Sequence, residues 1–211
     1  MEKAYKNLGF FLMLMIPLTF FGFYKTYLIQ FPHFDKKINY YVHLHALIAV
    51  LWIMIIIAQP LLIRARNFKA HRLVGRISYI VFPLLILSFI PQLFKIIEAG
   101  KLRFLFFPVG DAVLLIVFYS LAMYFRKKVY KHMRYVIAGA LVFLGPTVGR
   151  IGPILLQWSD LKTQNIQYAI IYTILLLLIF FDVRNGKKYQ PYIIATAFFA
   201  LHQLVYYILF L

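Results

Sequence analysis

The chain has 211 residues, of which 64% are hydrophobic and only 14% are charged. Soluble domains average about 45–50% apolar and about 25% charged residues, so this composition predicts an integral membrane protein without a soluble domain. The formal net charge of +17 is attributed to Lys and Arg at helix ends, not to a surface that binds nucleic acid. Because the chain has no cysteine, disulfides, iron–sulfur clusters and Cys-based metal sites are excluded.

Seven hydrophobic runs reach the roughly 20 residues that a membrane-spanning helix requires. We therefore predict an all-α, polytopic bundle of seven transmembrane helices that forms a single domain over residues 1–211. The predicted helices in chain order are Leu8–Ile29, Tyr40–Ile63, Leu73–Ile97, Phe104–Phe125, Tyr135–Gln157, Ile166–Val183 and Pro191–Leu211. The first run lacks a small-x-small cleavage site after it, so we expect it to be retained.

The distribution of Lys and Arg predicts the orientation of the helices. Of the 23 Lys and Arg residues, our assignment puts 15 on one side of the predicted membrane and 8 on the other. Cytoplasmic loops carry the excess of these residues. We therefore predict a cytoplasmic amino terminus and an external carboxyl terminus, in the inner or plasma membrane. The expected partners are the lipid bilayer and, on the cytoplasmic side, anionic lipids.

A polar stripe follows one face of the second predicted helix. His45, Trp52 and Gln59 are spaced seven residues apart, which places them on the same helical face. A polar stripe exposed to hydrocarbon would leave its donors unsatisfied, so we expect this face to point into the bundle.

Two ionisable residues, Asp111 and Arg150, lie inside predicted spans. Each is about seven residues from the external end of its helix, or roughly 10 Å deep at 1.5 Å per residue. His45 lies close to the same level, and His202 of the last helix can join the cluster. We predict an Asp111–Arg150 ion pair, which either fixes helix packing or serves a site where Asp111 is a protonatable switch. Glycines and prolines at 145–153 predict irregular backbone around Arg150.

Paired histidines suggest haem binding. His71 and His132 each open or precede a helix in a basic cytoplasmic setting, and histidines on different helices can be the two axial ligands of haem b. His45 and His202 form a second such pair on the external half. Three arginines are expected to contact haem propionates or anionic lipid head groups: Arg72, Arg76 and Arg134.

Four motifs appear in a fixed order over about residues 40 to 155. The first is a His–Trp–Gln stripe, His45…Trp52…Gln59, and the second is an HR-x-x-G motif, His71-Arg72…Gly75-Arg76. The third is an HKR-like motif, Lys131-His132-Met133-Arg134, and the fourth is a GP…R motif, Gly145-Pro146…Gly149-Arg150. This string resembles a group of bacterial multi-pass membrane proteins whose activity is not established. The resemblance implies a multi-pass membrane fold and a position for the site, but no particular chemistry.

Two further resemblances concern function. The paired histidines flanked by basic residues are similar to those of the two-haem transmembrane cytochrome b ascorbate reductases. Seven helices are also similar to the zinc-dependent membrane hydrolases of the ceramidase and adiponectin-receptor group, although the last helix holds His202 alone, without a His-x-x-x-His motif. Four functions stay open: haem or redox chemistry, binding or proton-linked transport of a small anionic or amphipathic molecule, an assembly or scaffold role, and hydrolysis.

Overall fold

The computed structural model describes residues 2–34 and 38–211. It is 82% helix, with no strand in these ranges, which confirms the all-α class. Six helical stretches in these ranges are long and apolar enough to cross a membrane: Tyr40–Arg64, Phe68–Glu98, Leu102–Tyr124, Val129–Leu155, Asp160–Arg184 and Gln190–Phe210. Lys36 and Lys37, which we had assigned to the external side, lie outside the described residues.

The chain divides into two compact units, Met1–Leu102 and Arg103–Leu211. The helices of the first unit are α1 (Leu8–Met13), α2 (Met15–Tyr24), α3 (Tyr40–Arg64), α4 (Phe68–Leu87) and α5 (Ile90–Glu98). The first predicted span consists of α1 and α2, ends at Tyr24 instead of Ile29 and is shorter than the other six.

The second unit contains the remaining five α-helices. They are α6 (Phe106–Tyr124), α7 (Val129–Leu141), α8 (Leu144–Arg150), α9 (Asp160–Arg184) and α10 (Gln190–Phe210). A π-helical turn at Ile151–Leu155 follows α8. The predicted span Tyr135–Gln157 is therefore not one regular helix but α7, α8 and this turn, which confirms the irregular backbone expected around Arg150.

Side-chain caps make two helices begin before their apolar runs. The Asn67 side chain accepts a hydrogen bond of 3.0 Å from the backbone N–H of Ala70, so α4 begins at Phe68. The Ser159 hydroxyl accepts one of 3.3 Å from the N–H of Lys162, which caps α9. Such caps satisfy backbone donors that the first turn of a helix leaves unpaired.

The earlier helix starts include two of the candidate histidines. His71 lies in the first turn of α4 and His132 in the first turn of α7, so each opens its helix, which is one of the two predicted alternatives. The first turns of these helices are basic and polar. The predicted spans follow apolar runs and therefore begin after these turns.

A buried ion pair joins α7 to α9. Arg134 and Asp182 have no exposed side-chain surface, and the Arg134 guanidinium donates to both carboxylate oxygens of Asp182 at 2.6 and 2.7 Å. Its Nη1 also donates to the backbone oxygen of Tyr130 at 2.9 Å. Arg134 is thus buried against a carboxylate, in contrast to the expected contact with a lipid head group or propionate.

Candidate functional site

The predicted stripe of α3 packs against α4 and the residue that follows it. Nδ1 of His45 is 2.7 Å from the hydroxyl oxygen of Ser88. The indole ring of Trp52 lies 5.1 Å from the ring of Phe82, and Gln59 donates to the backbone oxygen of His71 at 3.2 Å. Within the first unit, the stripe therefore faces α4.

A second polar cluster lies inside the second unit, where α6, α8 and α9 meet. A methyl group added at Gly145 would be 3.3 Å from both carboxylate oxygens of Asp111 and 3.5 Å from Nε2 of Gln167. One added at Gly149 would be 3.9 Å from Oε1 of Gln167. The two glycines of α8 therefore let a carboxylate from α6 and an amide from α9 approach the same stretch of backbone.

Arg150 is the last residue of α8, next to this stretch of backbone. Its Nη1 donates to the backbone oxygen of Pro146 at 2.7 Å, and its charge and that of Asp111 attract each other. The π-helical turn begins at the next residue. Turns of this kind are frequent at functional sites, so we take this segment as the centre of the candidate site.

His202 approaches the cluster from α10. Its Nδ1 is 2.8 Å from the hydroxyl of Tyr168, and its ring lies 4.5 Å from that of Phe106. Nε2 is buried without a hydrogen-bond partner among the described residues and faces Gly110, where an added methyl group would overlap it. Since Nδ1 contacts Tyr168 and Nε2 faces backbone, this packing leaves iron little room at either nitrogen.

The sequence-predicted site residues are divided between the units. His45, Trp52 and Gln59 belong to the first unit, whereas Asp111, Arg150 and His202 belong to the second. The structure brings Asp111 and Arg150 close enough for their charges to interact. That His45 belongs to the same cluster stays a prediction.

Sequence reasoning did not identify Gln167 and Tyr168 as site residues. Both side chains are buried, with exposed fractions of 4% and 1%. Oε1 of Gln167 has no hydrogen-bond partner in the part of the chain that the structure describes. The available signal was a polar amide, Gln167, inside the predicted span Ile166–Val183.

The two histidines that we predict on the cytoplasmic side are divided in the same way, with His71 in the first unit and His132 in the second. Nδ1 of His132 lies 2.8 Å from the backbone oxygen of Ala122. A carbonyl only accepts hydrogen bonds, so Nδ1 carries the proton and Nε2 has the lone pair with which a neutral histidine binds metals. Haem binding at His45, His71 and His132 stays a prediction. Arg72 and Arg76 are exposed on α4, as contacts with lipid head groups require.

Six helices of membrane-spanning length and composition in the described part of the chain define its class as a multi-pass helical membrane protein. Comparison with protein-family models, with curated proteins and with solved structures found no match. Among residues 2–34 and 38–211, no three His, Asp or Glu side chains converge as metal ligands.

Proposed function

We propose that the second unit binds a small anion together with a proton, at a site formed by Asp111, Arg150, Gln167 and His202. One observation carries the proposal: the charges of Asp111 and Arg150, which attract each other, lie in an apolar helical unit beside the amide donor Nε2 of Gln167. Ionisable residues inside membrane-spanning segments are costly and mostly functional. Tyr168 links His202 to the charged pair, because its hydroxyl contacts Nδ1 of His202 and it interacts electrostatically with Asp111.

Charge balance explains why a proton accompanies the anion. An ionised Asp111 and Arg150 together are neutral, and a neutral pair is the form that a membrane interior tolerates best. An anion bound beside this pair would leave a net negative charge. If Asp111 takes up a proton when the anion binds, the site is neutral both before and after binding.

The donors of the site suit a small oxyanion, such as a carboxylate or sulfonate. A guanidinium presents several N–H donors in a planar fork that matches two oxygens of such a group. Nε2 of Gln167 lies on the same side of α8 as the Asp111 carboxylate and supplies a neutral donor. Gly145 and Gly149 of α8 carry no side chain that would crowd these groups.

The pH dependence of anion binding tests this function. Calorimetry with methanesulfonate, which stays ionised, is expected to show an affinity that rises as the pH falls, by at most about tenfold per pH unit for one linked proton. Asp111→Asn places a neutral group at this position, so its affinity is expected not to vary with pH. The matched control Asp160→Asn changes an exposed carboxyl in the same unit and should behave like the wild type.

Two outcomes would contradict the proposal. One is a wild-type protein that does not bind methanesulfonate at any pH from about 5 to about 8, the range in which a linked proton would act. The other is an Asp111→Asn protein whose binding keeps the pH dependence of the wild type.

We infer the topology from the distribution of positive charge. The short apolar helix Leu8–Tyr24 is the seventh span, the amino terminus is cytoplasmic and the carboxyl terminus is external. The excess of Lys and Arg on one side supports this orientation, and Asp111 and Arg150 then lie in the external half of the inner or plasma membrane.

A further inference from the structure

A cavity of about 500 Å³ opens in the first unit, where α3 begins and α5 ends. This volume lies within the range of about 300–1,000 Å³ typical of sites for small molecules. The cavity is separate from the polar stripe of α3, since its lining includes Val42, Ile90 and Phe94 together with Gln92, Lys95 and Glu98.

The charges of this cavity are of opposite sign and are available to a ligand. Lys95 and Glu98 are three residues apart on α5, so they project from the same side of the helix, and both are exposed. Neither side chain has a hydrogen bond or ion pair with another residue in the described ranges. The cavity thus offers one cation and one anion about a helical turn apart.

The apolar part of the lining continues towards lipid. Phe94 is 59% exposed and Ile90 is 43% exposed, although both belong to a helical stretch apolar enough to span a membrane. Two exposed tyrosines, Tyr40 and Tyr41, begin α3 beside the cavity, and tyrosine is enriched where membrane meets water. A ligand of this cavity therefore has a polar end at the interface and an apolar end in the bilayer.

We propose that this cavity binds a zwitterionic phospholipid with a primary ammonium group, a phosphatidylethanolamine. The phosphate lies at Lys95, the ammonium at Glu98, and the first part of an acyl chain lies along Ile90 and Phe94. The Glu98 carboxylate would repel an anionic head group that has no ammonium. A choline head group has no N–H to donate to the Glu98 carboxylate or the Gln92 amide oxygen, whereas a primary ammonium has such donors.

Lipid retention tests this proposal. The full-length protein is reconstituted in vesicles of equal parts phosphatidylethanolamine, phosphatidylcholine and phosphatidylglycerol with identical acyl chains. It is then extracted in mild detergent, and the lipids that remain bound are counted by mass spectrometry. We expect the ethanolamine lipid to be enriched about fivefold over each of the others, the factor an exposed ion pair supplies.

Two variants and a control distinguish the head groups. Glu98→Gln is expected to change the preference from the ethanolamine lipid to phosphatidylglycerol, because the site then keeps only a cation. Lys95→Gln should remove the enrichment, and Lys101→Gln, which changes a cation that is not part of the lining, should retain it. Equal retention of the three lipids by the wild type, a wild-type preference for phosphatidylglycerol, or an unchanged preference in Glu98→Gln would overturn the proposal.

Discussion

Asp182→Asn is expected to destabilise the protein by about 3–5 kcal/mol, the cost of removing one partner from a buried ion pair. The Arg134 guanidinium would keep its charge, with no exposed surface through which water could solvate it. It would also lose its bidentate hydrogen bonds of 2.6 and 2.7 Å to the carboxylate. The free energy of unfolding in mixed micelles, measured by titration with a denaturing detergent, gives the size of the effect.

The double variant Arg134→Met/Asp182→Leu tests whether the loss of stability in Asp182→Asn comes from the buried charge that stays behind. Removing both charges leaves no unpaired ion, so we expect this protein to be much more stable than Asp182→Asn. Asp160→Asn, at an exposed carboxyl, controls for the loss of one negative charge. A stability of Asp182→Asn within about 0.5 kcal/mol of the wild type, as is usual for surface substitutions, would show that the pair does not hold α7 to α9.

Arg150→Gln is expected to weaken methanesulfonate binding by about tenfold to a hundredfold, since a hydrogen bond to a charged group contributes about 1.5–3 kcal/mol. The glutamine retains donors but has no charge to balance the anion. Arg150→Lys should lose less affinity, because it keeps the charge and loses the planar fork. Calorimetry at the low end of the pH range gives the affinities.

A matched control is Lys162→Gln, which removes an exposed cation from the same unit and should bind as the wild type does. Thermal unfolding of each variant, recorded in parallel, shows whether the fold is intact, because Arg150 also donates to the backbone of Pro146. A folded Arg150→Gln protein that binds methanesulfonate as tightly as the wild type would place the anion elsewhere.

The sequence predicted the helical class because apolar runs of membrane-spanning length have few alternative folds. It placed the starts of α4 and α9 too late, since their first turns are polar and are defined by the caps Asn67 and Ser159. Hydrophobicity alone does not indicate that these polar turns are helical. The capping residues are, however, visible in the sequence and could have corrected both boundaries.

The site was predictable only where one helix carried the signal. The stripe of α3 and the broken backbone at Arg150 follow from spacing and from glycine and proline. The contact of Arg134 with Asp182 joins residues 48 positions apart, and no periodicity within a helix reveals such a pair. The approach of Gln167 to Gly145 likewise depends on how α8 and α9 pack, so sequence reasoning left Gln167 out.

The most direct test of proton-linked anion binding is the number of protons taken up per bound anion. Weakly buffered protein at about pH 7 is mixed with saturating methanesulfonate, and an indicator dye reports the change in pH. We predict uptake approaching one proton per bound anion for the wild type and none for Asp111→Asn. Anion binding without proton uptake by the wild type would contradict the proposed role of Asp111.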